Sequence, residues 1–353
     1  MIGTAIETGK YWDRAWSLVE GCTKVSPGCG HCWLQAMDKR FHRNEYVVGS
    51  SGLVFKSAPR FREDRLGVPL HRKKPTVYSI WSDLFHEVVT SHDLASAFMT
   101  MEQSNQHTFL CLTKRVERME SFVSKWATQP ELPPSNGLLV DNIWLGVTAE
   151  NQEQADKRIP LLLQTPAAHR FLSIEPLLSP IDLTASYPDD YYHCTSCGHH
   201  GIDSVQRECI NCGGRSENPD NGNCSVCDTG TMAEICPECE GNDYKTSNAY
   251  ALVGSFVKEY RMLPGIDWVI VGCETGPKRR PCNLEWIRAI RDQCKAAGVP
   301  LWVKGLEAPR MCGAYIGGTF LQHTNAIGPV HVSHDTAEWP KDLRIRQMPE
   351  GLR

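Results

Sequence analysis

The chain has 353 residues, 41% of them hydrophobic and 22% charged, with a formal net charge of -4 at pH 7. This composition excludes a disordered or fibrous chain, and at about 150 residues per domain it predicts two domains or one large α/β barrel carrying an insertion. The near-neutral charge gives no whole-chain argument for nucleic acid, so any such argument must be local.

No run approaches the roughly 18 consecutive apolar residues of a membrane span, and the N-terminal MIGTAIETGKYWDRAW lacks a basic-then-apolar signal. A cytoplasmic protein without a membrane partner is expected. Short apolar runs followed by helical periodicity then alternate along the chain. Strands are predicted at Ser17–Gly21, Val77–Trp81, Thr108–Thr113, Asn142–Thr148, Arg170–Pro176, Trp268–Glu274 and Pro300–Gly305. Helices are predicted at Trp33–Arg43, Ser91–Gln103, Arg115–Thr128, Asn151–Gln164 and Leu284–Ala297, the last stopped by Gly298.

This β-then-α alternation favours a parallel sheet with helices outside. The first strand is followed by no G-x-G-x-x-G turn, which disfavours an open nucleotide-binding sheet. Most strands end in polar residues: Glu20; Ser82 and Asp83; Thr113, Lys114 and Arg115; Thr148, Glu150 and Asn151; Ser173 and Glu175; Glu274 and Thr275; Lys304. In a full or partial (β/α) TIM-like barrel these ends converge on one ligand-binding mouth.

Sixteen cysteines are too many for a cytosolic core and point to metal. Eight form four C-x-x-C pairs, Cys194 with Cys197, Cys209 with Cys212, Cys224 with Cys227 and Cys236 with Cys239, in a Gly-, Asn- and Ser-rich stretch almost without aliphatic runs. Two such knuckles complete a tetrahedral four-sulfur site, so an inserted cysteine-rich subdomain with two structural zinc ions is expected, their pairing open. The domain plan is then 1–186 for the first part of the barrel, 187–247 for the insertion, 248–310 for the remainder of the barrel and 311–353 for a C-terminal extension. After the first strand, Cys22, Cys29 and Cys32 are spaced C-x6-C-x2-C. Three thiolates suit either an iron–sulfur cubane with one open iron or a zinc site completed by His31 or a distant residue.

The triplet, Trp81-Ser82-Asp83-Leu84-Phe85-His86, Leu112-Thr113-Lys114-Arg115, Trp144-Leu145-Gly146-Val147-Thr148-Ala149-Glu150-Asn151, Phe171-Leu172-Ser173-Ile174-Glu175-Pro176 and Gly272-Cys273-Glu274-Thr275-Gly276-Pro277 occur in that order. Together they resemble a phage-encoded radical-SAM-like family that includes isomerases of thymine hypermodification in DNA. The resemblance spans most of residues 11–306 and leaves out the zinc insertion and the tail. The triplet departs from the common radical-SAM spacing, with six residues rather than three between its first two cysteines, and Ser82-Asp83 stands where Gly-Gly-Glu is usual.

The resemblance implies a [4Fe-4S] cluster on Cys22, Cys29 and Cys32 and S-adenosylmethionine as cofactor. It implies His31 against adenine, Ser82 and Asp83 on the ammonium, Lys114 or Arg115 on a carboxylate, Glu150 and Asn151 on ribose, and Ser173 also in the cofactor site. Glu175, Glu274 and Lys304 are the candidate catalytic residues, the glutamates as proton handlers or amine binders; their structural alternative is ion pairing with Lys304 and Arg115. The implied reaction converts a thymine methyl group carrying glycine through nitrogen into one carrying it through the α-carbon, by hydrogen abstraction, rearrangement and hydrogen return.

The implied partners are DNA containing modified thymidine, or the modified nucleotide, and an electron donor such as flavodoxin or ferredoxin, in the host cell cytoplasm. A basic run, Lys56, Arg60, Arg62, Arg65, Arg72, Lys73 and Lys74, and the turn Lys278, Arg279 and Arg280 are candidate phosphate contacts. The alternatives are a radical enzyme acting on another pyrimidine modification or lesion, and a non-enzymatic zinc-stabilised DNA-binding protein.

Overall fold

The computed structural model describes residues 9–32, 34, 46–49, 52–55, 59–128, 140–184, 192–194, 200–201, 206–209, 232–235, 244–246, 265–276, 278–316 and 319–352. Its central sheet has seven strands: β1 (Arg14–Trp16), β4 (Val77–Ile80), β5 (Thr108–Thr113), β6 (Ile143–Thr148), β7 (His169–Ile174), β8 (Trp268–Val271) and β9 (Leu301–Val303). Two short strands outside it, β2 (Val19–Glu20) and β3 (Arg60–Phe61), pair antiparallel with each other. Every pairing within the large sheet is parallel and spatial order follows chain order. A doubly wound sheet would reverse direction partway. The sheet is instead singly wound and curled, a partial α/β barrel.

Helices α1 (Ser91–Gln103), α2 (Val116–Ala127), α3 (Gln152–Gln164) and α4 (Leu284–Ala297) supply crossovers between these strands. Their ends follow local chemistry. Thr90 and Asp93 form a reciprocal capping box at α1, Asn151 caps α3, and α4 runs from an Asn283 cap to Gly298 at φ +68°. The helix predicted at Trp33–Arg43 lies outside the described residues.

The first strand falls earlier than predicted. Arg14–Trp16 joins the sheet, whereas Ser17–Gly21 does not continue it. Leu18 N donates to Trp16 O at 3.2 Å and Arg65 donates to Ser17 O at 2.9 Å, which turns the chain out of the ladder.

Alternation on the strands divides the core into two faces. Phe109, Cys111, Leu145, Val147, Leu172, Val269 and Val303 pack outward beneath the helices. Val77, Leu110, Trp144, Phe171, Trp268, Ile270 and Trp302 form an inner cluster with Tyr11 and Leu352. Gly146 is required there, because a Cβ would lie 2.5 Å from the Phe171 ring.

The C-terminal segment closes the lower end of this inner face. Trp268 Nε1 donates to Gln347 O at 2.9 Å, and Thr108 Oγ1 donates to Leu352 O at 3.0 Å. A long antiparallel hairpin, β10 (Leu306–Ile316) with β11 (Thr319–Ser333), follows β9 and begins just before the boundary expected at residue 310.

In the insertion, Tyr192–Cys194 pairs antiparallel with Tyr244–Thr246, and Gln206–Cys209 with Met232–Ile235. Cys194 and Cys209 are placed there by their backbone alone. Cys197, Cys212, Cys224, Cys227, Cys236 and Cys239 lie outside the described residues, and so do the side chains of Cys194 and Cys209. The expected zinc sites on these eight cysteines therefore fall outside the described part of the molecule.

Candidate functional site

The triplet loop crosses the end of the sheet where the parallel strands terminate. Cys22, Cys29 and Cys32 are half-buried and none is in a disulfide. The loop is held at three places, each by an ion pair rooted at a strand end: Asp83–Arg115, Glu150–Arg158 and Glu274–Arg280.

At the first place, Arg115 Nη1 lies 2.9 Å from Asp83 Oδ2, and Asp83 also accepts from Thr113 Oγ1 at 2.7 Å. The guanidinium then reaches the loop, donating to Thr23 Oγ1 at 2.6 Å and to Cys22 Sγ at 3.8 Å. His86 Nε2 stands 3.0 Å from the same Thr23 hydroxyl, while its Nδ1 accepts from Val88 N at 3.1 Å. The ring is therefore neutral with its proton on Nε2. Burial and the Asp83 charge push the Cys22 thiol up to about 12, against the pull of Arg115. Ser82, at φ +67°, occupies a left-handed conformation unusual for a non-glycine, and its hydroxyl donates to Gly21 O at 2.5 Å.

At the second place Glu150, fully buried, accepts from Ser26 Oγ, from Gly28 N at 3.0 Å and from Arg158 Nη1 at 2.8 Å. Burial opposes its charge, but the Lys114 and Arg158 cations and these hydrogen bonds hold its carboxyl below the usual range. A Cβ on Gly28 would stand 2.8 Å from Glu150 Oε1, so only glycine lets the loop settle this closely. At the third place Glu274 receives Arg280 through its side chain and through its backbone N–H at 2.7 Å, and lies 3.0 Å from His31 Nδ1. Arg280 Nη1 also donates to Pro27 O at 2.9 Å. Here too the hydrogen bonds and charge of Arg280 outweigh burial and keep the Glu274 carboxyl low.

The structure thus gathers Cys22, His31, Asp83, Arg115, Glu150 and Glu274 around one loop. Glu175 pairs with Lys304 at 2.8 Å, whereas Glu274 pairs with Arg280 rather than Arg115. Asn151 is engaged as the α3 cap, accepting from Gln154 N at 3.0 Å, and Ser173 is buried on β7. Asp83 is engaged by Arg115 and Thr113, and Arg115 is shared among Asp83, Glu87 at 2.8 Å and Thr23.

Three members of the basic run are likewise engaged, and Lys56 lies outside the described residues. Arg60, Arg62 and Arg65 all converge on Glu20, at 2.7, 2.5 and 2.6 Å, which leaves less free charge for phosphate than the sequence implied. Sequence reading missed Ser26, Thr23, His86 and Arg158 as loop anchors, and Tyr11. The Pro27-Gly28 turn was a visible signal for a tight loop; for Tyr11 there was none.

Among the described residues, no three His, Cys, Asp or Glu side chains converge on a single-ion position. The donor chemistry suits an iron–sulfur cluster: three thiols outside any disulfide on one loop, with a guanidinium donating to one sulfur. A cluster is several atoms wide and takes its thiolates farther apart than a single ion does.

These features define a partial α/β-barrel protein with a cysteine-triplet loop pinned across the strand-end mouth. The family model described as "Protein of unknown function (DUF5131)" matches residues 4–312, and the chain belongs to that family. No curated protein and no solved structure matches it. Among the described residues no helix is long and apolar enough to cross a membrane.

Proposed function

We propose that the chain is an iron–sulfur enzyme of the radical S-adenosylmethionine type, with Cys22, Cys29 and Cys32 as cluster ligands, that isomerises an amino-acid adduct on the thymine methyl group of phage DNA. The observation that carries the class is the triplet loop, its three thiols outside any disulfide, fixed over the strand-end mouth by three separate ion pairs. The substrate rests on the resemblance of the ordered motifs, and includes polymer DNA or the modified nucleotide. Two zinc ions in the insertion and an external electron donor complete the reading.

The cluster and S-adenosylmethionine, when bound, would supply the reducing electron and the carbon radical that abstracts hydrogen. The chain's own residues bind, orient and enclose. Arg115 places an N–H against the Cys22 sulfur, favouring the anionic ligand form. Glu150 and Arg280 fix the loop backbone at Gly28 and Pro27, so the cysteines that would hold the cluster are carried on a loop tied to the strand ends. His31, held through Nδ1 by Glu274, presents its ring beside the third cysteine. The inner aromatic cluster closes the lower end and excludes water from that direction.

The test is metal and sulfide analysis of protein purified without oxygen, alongside the combined Cys22→Ala, Cys29→Ala, Cys32→Ala variant. About four iron and two zinc per chain are expected, with iron alone lost in the variant. Cleavage of S-adenosylmethionine to 5′-deoxyadenosine should follow on reduction. Zinc without iron after reconstitution would sink the radical reading.

A further inference from the structure

The ion pairs at the mouth differ in access. Asp83–Arg115 and Glu150–Arg158 are closed, whereas Glu274–Arg280 keeps 4% and 33% side-chain exposure and Glu175–Lys304 keeps 16% and 29%. Of these two more open pairs, Arg280 is spent on the triplet loop at Pro27 O, whereas Lys304 and Glu175 are bonded to each other. Lys304 Nζ lies 3.0 and 2.8 Å from the two Glu175 oxygens, a cation resting on both acceptors of one carboxylate.

The pair is built on rigid backbone. Lys304 continues the inner face of β9 two residues beyond Trp302, and Glu175 continues that of β7 beyond Phe171 and Ser173. Between them, in the intervening β8, the next inward position is Gly272. A Cβ there would sit 3.5 Å from Lys304 Cβ, so the absent side chain leaves open the span that Lys304 crosses. Lys304 N donates to Val271 O at 2.9 Å, and Lys304 O lies 2.7 Å from His334 Nδ1. Tyr11 is buried beside the pair, its ring edge-on to Trp268 and Trp302 at 5.3 and 6.0 Å.

We propose that Lys304 and Glu175 form a receiving site for an α-amino acid moiety, Lys304 taking its carboxylate and Glu175 its amino group. The inference rests on the radical-enzyme reading for the identity of the ligand. It has a charge argument of its own. A simple anion that captured Lys304 would strand the Glu175 carboxylate, and a simple cation would strand Lys304; a half-buried unpaired charge is costly. A ligand carrying both signs exchanges one internal pair for two intermolecular ones and strands neither. Two sources have this chemistry, the methionyl end of S-adenosylmethionine and the amino-acid adduct of the nucleoside.

Calorimetric titration of the anaerobically purified full chain separates them. The probes are S-adenosylmethionine against 5′-methylthioadenosine, which lacks the amino acid, and thymidine carrying N-linked glycine on its methyl group against 5-hydroxymethyl-deoxyuridine. In Lys304→Met and in Glu175→Gln, one amino-acid-bearing probe should lose roughly ten- to hundredfold in affinity while its amino-acid-free counterpart is unchanged. Which probe loses identifies the source. The exchanged variant, Lys304→Glu with Glu175→Lys, retains an ion pair and so guards against misfolding; it should melt near the wild type and still lose that probe. Changes below about twofold for both probes, equal loss by the counterpart, or no binding of either probe to wild type would each overturn the proposal. Iron content, measured on the same samples, tells this failure apart from that of the radical reading.

Discussion

The two ends of the inner sheet face are built from the same strands and have opposite chemistry. The lower end is apolar, with Trp144, Phe171, Trp268 and Trp302 packed together and capped by the C-terminal segment. The upper end carries buried charge, Asp83–Arg115, Glu150–Arg158 and Glu274–Arg280, and each pair spends part of its hydrogen bonding on the triplet loop. Burial of large side chains stabilises by about 1.5–3 kcal/mol apiece, whereas a buried ion pair yields little net stability over an apolar substitute. The lower end therefore holds the fold and the upper end fixes a loop in place.

The largest expected effect comes from breaking the lower end. Trp268→Ala removes a fully buried indole and the donor to Gln347 O, and should cost about 4 kcal/mol. Chemical denaturation should show a lower midpoint with an unchanged slope. On the proposed reading, iron binding by the folded fraction should survive, because none of the loop anchors is touched. A loss below about 1 kcal/mol would contradict the assignment of stability to this end.

Next comes Glu150→Gln. It leaves the Arg158 guanidinium buried without its counter-charge and weakens acceptance from Ser26 and Gly28, at a cost of about 3 kcal/mol. The comparison predicts a signature that Trp268→Ala lacks: the triplet thiols should react faster with an alkylating reagent under conditions where the variant is still folded. Thiol reactivity that tracks global unfolding alone would mean that the mouth and the lower end are one cooperative unit.

The fold was more legible than the site, and for a local reason. Helices Ser91–Gln103 and Leu284–Ala297 match their predicted bounds because caps such as Thr90 with Asp93 and the Asn283–Gly298 pair are written within a few residues. The parallel sheet followed from repeated β-then-α order. The first strand was misplaced because Leu18 and Val19 make a short apolar run like that of a strand, while one of the bonds that turn it aside comes from Arg65, 48 residues from Ser17. Asp83, Arg115, Glu150 and Glu274 do meet around the triplet loop, but their partners could not be read. Ser26 and Glu150 are 124 residues apart and His31 and Glu274 are 243 apart, so only the folded, curled sheet brings them together. The pairing of Arg60, Arg62 and Arg65 with Glu20 was hidden in the same way, since Glu20 lies at least 40 residues from them in sequence.

The smallest expected effect is a pH dependence confined to the first anchor. His86 is held below its ordinary 6.5, chiefly by burial and then by the adjacent Arg115 charge, while Glu87 and Asp83 pull the other way. The neutral ring is the form that accepts from Val88 N and bonds Thr23, so protonation breaks the first contact and adds a second cation beside Arg115. A base with a depressed folded value binds fewer protons folded than unfolded. Its contribution is therefore fully present above pH 6.5 and is lost as pH falls through the lower folded value. Glu150 and Glu274, lowered from 4.5, lose theirs only below that point, so the His86 loss begins first. The melting temperature of wild type should begin to decline as pH falls below 6.5, and His86→Gln should flatten that first decline while leaving the loss below pH 4.5 intact. An unchanged slope in His86→Gln would show that the anchor at Thr23 is held by Arg115 alone.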